Sequence, residues 1–258
     1  MLKDEIIKSF QGTKGNVSIV LKDLGKKEMI FELDSLRVVP SASTIKILIM
    51  IEALKQEMEG KLSLDEVIFV KPGERVDFSI ISELDVYNYT IRDLITLMII
   101  ISDNTATNVL IDILGYENIN NEAETMNLKG TALKRKMMDF EAAIQGRQNV
   151  TTAWDMAYMM EALYRGTILD RSMCDLAINI LKRQKHNDMI TRYIADEIVV
   201  AHKSGDLQNL NHDIGIFYLP NATYLLGIFV TGAESNMVSK HIIGKVSEIV
   251  YKHFCLNK

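Results

Sequence analysis

The stretch PSASTIKILIMIEALKQEM, residues 40–58, decides the fold, because it predicts a helix that opens on a serine and a lysine. Pro40 cannot continue a helix backwards, Ser41 or Ser43 can cap the first turn with a side-chain oxygen, and an apolar run follows without Gly or Pro. Ser43 and Lys46 are three residues apart, so a helix sets them on one face within contact distance. A serine hydroxyl is a poor nucleophile at its free pKa and needs a neighbouring base to take its proton. A desolvated lysine can be that base, since burial disfavours the ammonium form.

Around that helix, 258 residues suffice for a large core in one or two domains. The apolar fraction of 48% and charged fraction of 24% are those of an ordinary globular protein. A net charge of -5, with Lys and Arg dispersed, argues against a nucleic-acid surface. The longest apolar runs, Ile47–Ile51 and Leu97–Ile101, fall far short of the roughly 20 residues a membrane span needs. The N-terminal MLKDEIIKSF carries charge throughout, whereas an export signal needs an apolar core of roughly 7–15 residues. The chain as written is therefore expected in the cytoplasm, and secreted only if a leader has been removed. Cys174 and Cys255 match no metal spacing and read as packing residues. His186, His202, His241 and His253 offer no metal spacing either, and no Gly-rich phosphate loop occurs, so no metal or other cofactor is expected.

In chain order, residues 1–11 suggest an amphipathic helix, and Val17–Leu21 and Glu28–Leu33 two strands joined by a hairpin turn. From Ser43 to about Ile194 the pattern is mainly helical, with helices at Thr90–Ile101, Thr105–Leu114, Trp154–Arg165 and Met173–Leu181. Strands then return at Glu197–His202, Asp213–Leu219 and Tyr224–Val230, before a last helix, Asn236–Phe254. The expected class is α+β: an antiparallel five-stranded sheet flanked by terminal helices, with an all-helical lobe inserted. Residues 1–35 and 196–258 would form the sheet lobe, residues 36–195 the helical lobe, and a cleft between them is the natural site.

Three strings stand out: Ser43-Thr44-Ile45-Lys46, Ser102-Asp103-Asn104 and Lys203-Ser204-Gly205. The first opens a helix, the second ends a buried helix, and the third ends an apolar strand, so all can converge on the cleft. They match the S-x-x-K, S-D-N, K-T-G set, with Ser for Thr in the third, which keeps the hydroxyl. On these strings the sequence resembles the class A β-lactamase-like serine hydrolases over essentially its whole length. The resemblance implies a serine hydrolase that forms an acyl-enzyme with a β-lactam or related amide, acting as a monomer. Its alternatives are a D-alanyl-D-alanine peptidase or esterase-like relative, and a slowly deacylating penicillin-binding sensor.

By the same resemblance Ser43 is the acylated nucleophile and Lys46 its proton acceptor, while Ser102 hands a proton to the leaving nitrogen. Asn104 would hold the substrate amide, and Lys203 and Ser204 the substrate carboxylate. Gly205 completes the third string, and the backbone N–H groups of Ser43 and Asp206 would form the oxyanion hole. Asp103 is expected to be structural, and His212, at the start of a strand, either structural or a carboxylate ligand. The family's deacylating glutamate falls, on spacing, at Met137, within Leu133-Lys-Arg-Lys-Met-Met-Asp-Phe-Glu141. Methionine cannot take a proton. Either Glu141 serves as general base from the far side of the water, or no base is present and acylation is close to a dead end. The loop's usual ion pair is missing too, because Val150 stands opposite Arg135, and Arg135 needs another partner.

Overall fold

The structure, a computed structural model, describes residues 1–195 and 197–256. Five strands, β1 (Asn16–Asp23), β2 (Glu28–Leu33), β7 (Val199–Leu207), β8 (Leu210–Tyr218) and β9 (Thr223–Thr231), form an antiparallel sheet in the order β2-β1-β9-β8-β7. The terminal helices α1 (Leu2–Phe10) and α9 (Asn236–Leu256) cover one face. Side chains alternate across the sheet as a two-residue period requires. Leu226, Ile228 and Val230 join Ile6, Ile242 and Val246 on the terminal-helix side, while Leu225 and Phe229 join the core of the helical region. Coverage on both faces leaves β8 buried along nearly its whole length, polar Asn211, His212 and Asp213 included.

The helical region contains α2 (Lys46–Met58), α3 (Ile91–Ile100), α4 (Asn104–Leu114), α5 (Tyr116–Thr125), α6 (Phe140–Ile144), α7 (Ala153–Arg165) and α8 (Arg171–Leu181). Two short ladders, β3 (Val39–Pro40) with β6 (Val150–Thr151) and β4 (Val67–Phe69) with β5 (Asn88–Thr90), complete it. Capping sets the helix starts. Thr90 and Asp93 form a reciprocal capping box, and Asp103, Thr152 and Asp170 each accept a backbone N–H of the helix they open. Gly166 ends α7 in the left-handed conformation that glycine adopts without cost.

Several expectations are corrected. Residues 42–45 form a 3-10 turn rather than the first turn of α2, and neither Ser41 nor Ser43 caps it through a side chain. Strand β7 runs on to Leu207, so the Lys203-Ser204-Gly205 string lies inside a strand instead of at its end. Cys255 is exposed rather than packed, and both cysteines are free thiols. The boundary expected at residue 196 falls on a residue outside those described. No described helix is long and apolar enough to cross a membrane.

Candidate active site

A cavity of about 730 Å³ opens where β7 meets the 3-10 turn, and Ser43, Ser102, Asn104, Ser204 and Asp206 all line it. Strand β7 lies directly against the turn that carries Ser43. A Cβ placed on Gly205 would sit 3.0 Å from Ala42 Cβ, 3.1 Å from Ser43 N and 3.2 Å from Ser41 O. A side chain here would push the turn back by a few tenths of an ångström. Two of the three cavity serines, Ser43 and Ser102, sit at strained backbone: Ala42 has φ 45° and Ser102 has φ 58°. Non-glycine residues pay for that conformation, and it persists where packing dictates it.

Lys46 and Lys203 lie behind this lining, fully buried. Lys46 Nζ contacts Ser102 O at 2.7 Å, Asn104 Oδ1 at 2.9 Å and Ser102 Oγ at 3.1 Å. Lys203 Nζ donates to Ser204 O at 2.8 Å and to the same Ser102 Oγ at 3.1 Å. Burial first, then the neighbouring charge of Lys203, holds the Lys46 pKa well below its ordinary value, with Asp103 opposing. Burial likewise lowers Lys203 to about 7, against the pull of Asp213.

The carbonyl oxygens of Ser102 and Asn104 can only accept, so Lys46 donates to both. A neutral amine then has its lone pair left for the Ser102 hydroxyl, which in turn accepts from Lys203. This chain of contacts fits one neutral and one protonated lysine sharing a hydroxyl. The expected contact between Ser43 and Lys46 is not made: among the described residues Ser43 Oγ has no hydrogen-bond partner, and Lys46 is turned toward Ser102. Lys203 lies buried behind the lining, one hydrogen bond from the cavity through Ser102 Oγ.

The loop across the cavity brings Met137 and Met138 into the lining. Asn108 fixes Met137 from both sides, accepting from its N–H at 2.7 Å and donating to its carbonyl at 3.1 Å. Glu141 does not reach the site. It is exposed on α6, its carboxylate accepts from Gln145 at 3.3 Å, and it is absent from the lining, so the expectation that it activates water is not met by this arrangement. The loop neck is nonetheless tight. Asn149 Oδ1 accepts from the N–H groups of Lys134 and Arg135, its Nδ2 donates to Arg135 O, and Arg135 Nε donates to Gln148.

Asp103 is structural, as expected: buried, it accepts from Ser79 Oγ, Ile81 N and Ala106 N. So is His212, whose Nε2 lies 2.9 Å from Pro40 O and whose ring stacks on Phe229 at 4.4 Å. Burial lowers its pKa to about 4, which leaves the imidazole neutral and no ligand for an anion. Sequence reasoning missed His202 and Asp213, buried together at 3.0 Å beneath Lys203, because neither stands in a recognisable spacing.

A family model described as the β-lactamase enzyme family matches residues 1–254. The chain belongs to the β-lactamase enzyme family. A curated β-lactamase of Proteus vulgaris is 31% identical over 219 residues, covering 82% of this chain and 73% of that protein. The fold of a β-lactamase from Sphaerobacter thermophilus superposes with a TM-score of 0.91 at 25% identity, covering 100% of this chain and 98% of that one. Another structural neighbour is PBP-A, with a TM-score of 0.89, 25% identity, and 99% and 96% of the two chains covered. A leucine-to-glutamate mutant of PBP-A, in an acyl-enzyme complex with penicillin G, matches with a TM-score of 0.88 at 26% identity. Membership of the β-lactamase family makes this chain a hydrolase of the β-lactam-processing type.

Proposed function

We propose that this protein is a penicillin-recognising serine hydrolase of the class A type that acylates quickly at Ser43 and releases the acyl group slowly. Ser43 Oγ attacks the β-lactam carbonyl, the C–N bond breaks, and the Ser43 proton is taken by neutral Lys46, whose amine must first swing from Ser102 Oγ toward Ser43. Ser102, hydrogen-bonded to both lysines, relays a proton to the departing nitrogen. The N–H groups of Ser43 and Asp206 face the developing oxyanion.

One observation carries the slow second step. Met137, its backbone held by Asn108, lines the cavity at the position that spacing assigns to the base, and Glu141 is exposed and outside the lining. General-base assistance is worth roughly 100- to 10,000-fold, so its loss lengthens the acyl-enzyme lifetime by that order. The test is the lifetime of the penicillin adduct in two variants. Met137→Glu is expected to shorten it at least about tenfold, and Glu141→Gln to leave it unchanged. A lifetime lengthened by Glu141→Gln would restore Glu141 as the base and overturn this account.

A further inference from the structure

A pocket of about 470 Å³ shares no lining residue with the cavity that holds Ser43. Lys27, Arg165 and Arg171 line it together with Tyr164 and Thr167, so three of its five lining residues are cations and none is a carboxylate. Separate segments bring these cations together. Lys27 stands in the turn between β1 and β2, Arg165 is the last residue of α7, and Arg171 is the first of α8.

Each guanidinium is held from one side and open on the other. Arg165 donates through Nε to Glu161 at 2.7 Å and through Nη2 to Leu24 O at 3.2 Å, while Arg171 grips Asp175 through Nε at 3.1 Å and Nη2 at 3.0 Å. In both, Nη1 makes no hydrogen bond among the described residues. Gly166, at φ 70°, gives Arg171 its room, for a Cβ there would sit 3.3 Å from Arg171 Cδ. Lys27 has φ 58°, a conformation that glycine or asparagine adopts at lower cost, and among the described residues its ammonium has no hydrogen-bonded or ionic partner. Lys22 shares Glu161 with Arg165 at 2.8 Å, so Lys22, Lys27, Arg165 and Arg171 have two carboxylate partners between them, Glu161 and Asp175. Asp170, beside Arg171, is committed to the start of α8, where it accepts from Met173 N and Ser172 Oγ. Positive charge is left over at the pocket.

We propose that this pocket binds a phosphate group, presented as free inorganic phosphate or as a phosphomonoester. A phosphomonoester carries about −1.5 to −2 charges and three strong acceptor oxygens, enough to meet two guanidinium edges and an ammonium at once. A carboxylate, with one charge and two oxygens, leaves one of the three unanswered. Bound there, the phosphate joins the β1–β2 turn of the sheet to the connection between α7 and α8. The site is independent of acylation at Ser43.

The test is calorimetric titration of the full chain with inorganic phosphate and with glycerol phosphate, at a constant ionic strength of about 0.15 M so that general screening cannot imitate binding. Wild type is expected to bind at least one probe saturably at one site per chain. Arg171→Gln and Lys27→Asn should each weaken that binding about tenfold, the worth of one charge-assisted hydrogen bond. Lys27→Asn guards against loss of the fold, since Lys27 holds no partner and asparagine tolerates its backbone conformation. Tighter binding of glycerol phosphate upholds the site with a phosphomonoester as its ligand, and equal or tighter binding of inorganic phosphate upholds it with the free ion. Equal affinity in wild type and Lys27→Asn, or no saturable binding of either probe to wild type, overturns the proposal.

Discussion

Two lysines share the Ser102 hydroxyl, and the response of the molecule to pH follows from what burial does to them. Lys203 is held at about 7 in the folded chain against an ordinary 10.5. Between those values the unfolded chain binds a proton that the folded chain lacks, so Lys203 makes stability rise with pH through that window. Below about 7 the lysine is protonated in both states and the whole desolvation penalty stands. Lys203→Met removes the penalty. Its melting temperature relative to wild type should be highest below neutrality and fall as pH climbs toward 10.5, a change on the order of a few kcal/mol. Thermal melts across that range check it, and a pH-independent difference would contradict it. The reactive residue types were legible in the strings themselves. Their partners were not, because a three-residue spacing gives a shared face but not which neighbour an amine will turn to. Lys46 turned to Ser102 and Asn104, which lie more than fifty residues away in the chain.

The helices and sheet strands that sequence made plain are those with strong periodicity or a capping residue. The Thr90 start of α3, the two ends of α7 and the sheet strands other than β7, which runs five residues past its expected end, fall within a few residues of where their patterns place them. Helix α5 escaped notice because YENINNEAET has a single large aliphatic residue, Ile119, to mark its buried side. The short ladders β3–β6 and β4–β5 escaped because two or three residues are too few for a period to show. What no pattern predicts is the contact between β7 and the 3-10 turn, and it supplies a direct test. Gly205→Ala would drive a methyl group into Ala42 and the Ser43 N–H. Acylation should fall several-fold, as expected for a few tenths of an ångström of displacement at a reacting group, while the melting temperature drops only modestly. Acylation at the wild-type rate would mean that the turn is not held by this strand.

At the scale of the whole molecule, the sheet brings β7 and the helical region brings Ser102, Asn104 and Met137 to one cavity, with Ser43 on the turn between them. The cavity holds the Ser43 and Ser102 hydroxyls, and Met137, its backbone fixed by Asn108, lines it in place of a carboxylate. Fast entry and slow exit of an acyl group is the behaviour this combination produces. Intact-protein mass followed over time after mixing with penicillin G reads both steps at once, in wild type and in Ser43→Ala. The account predicts one adduct per wild-type chain that persists long after free penicillin is removed, and none on Ser43→Ala. An adduct on Ser43→Ala, or a wild-type chain that takes no adduct and leaves penicillin unhydrolysed, would contradict it.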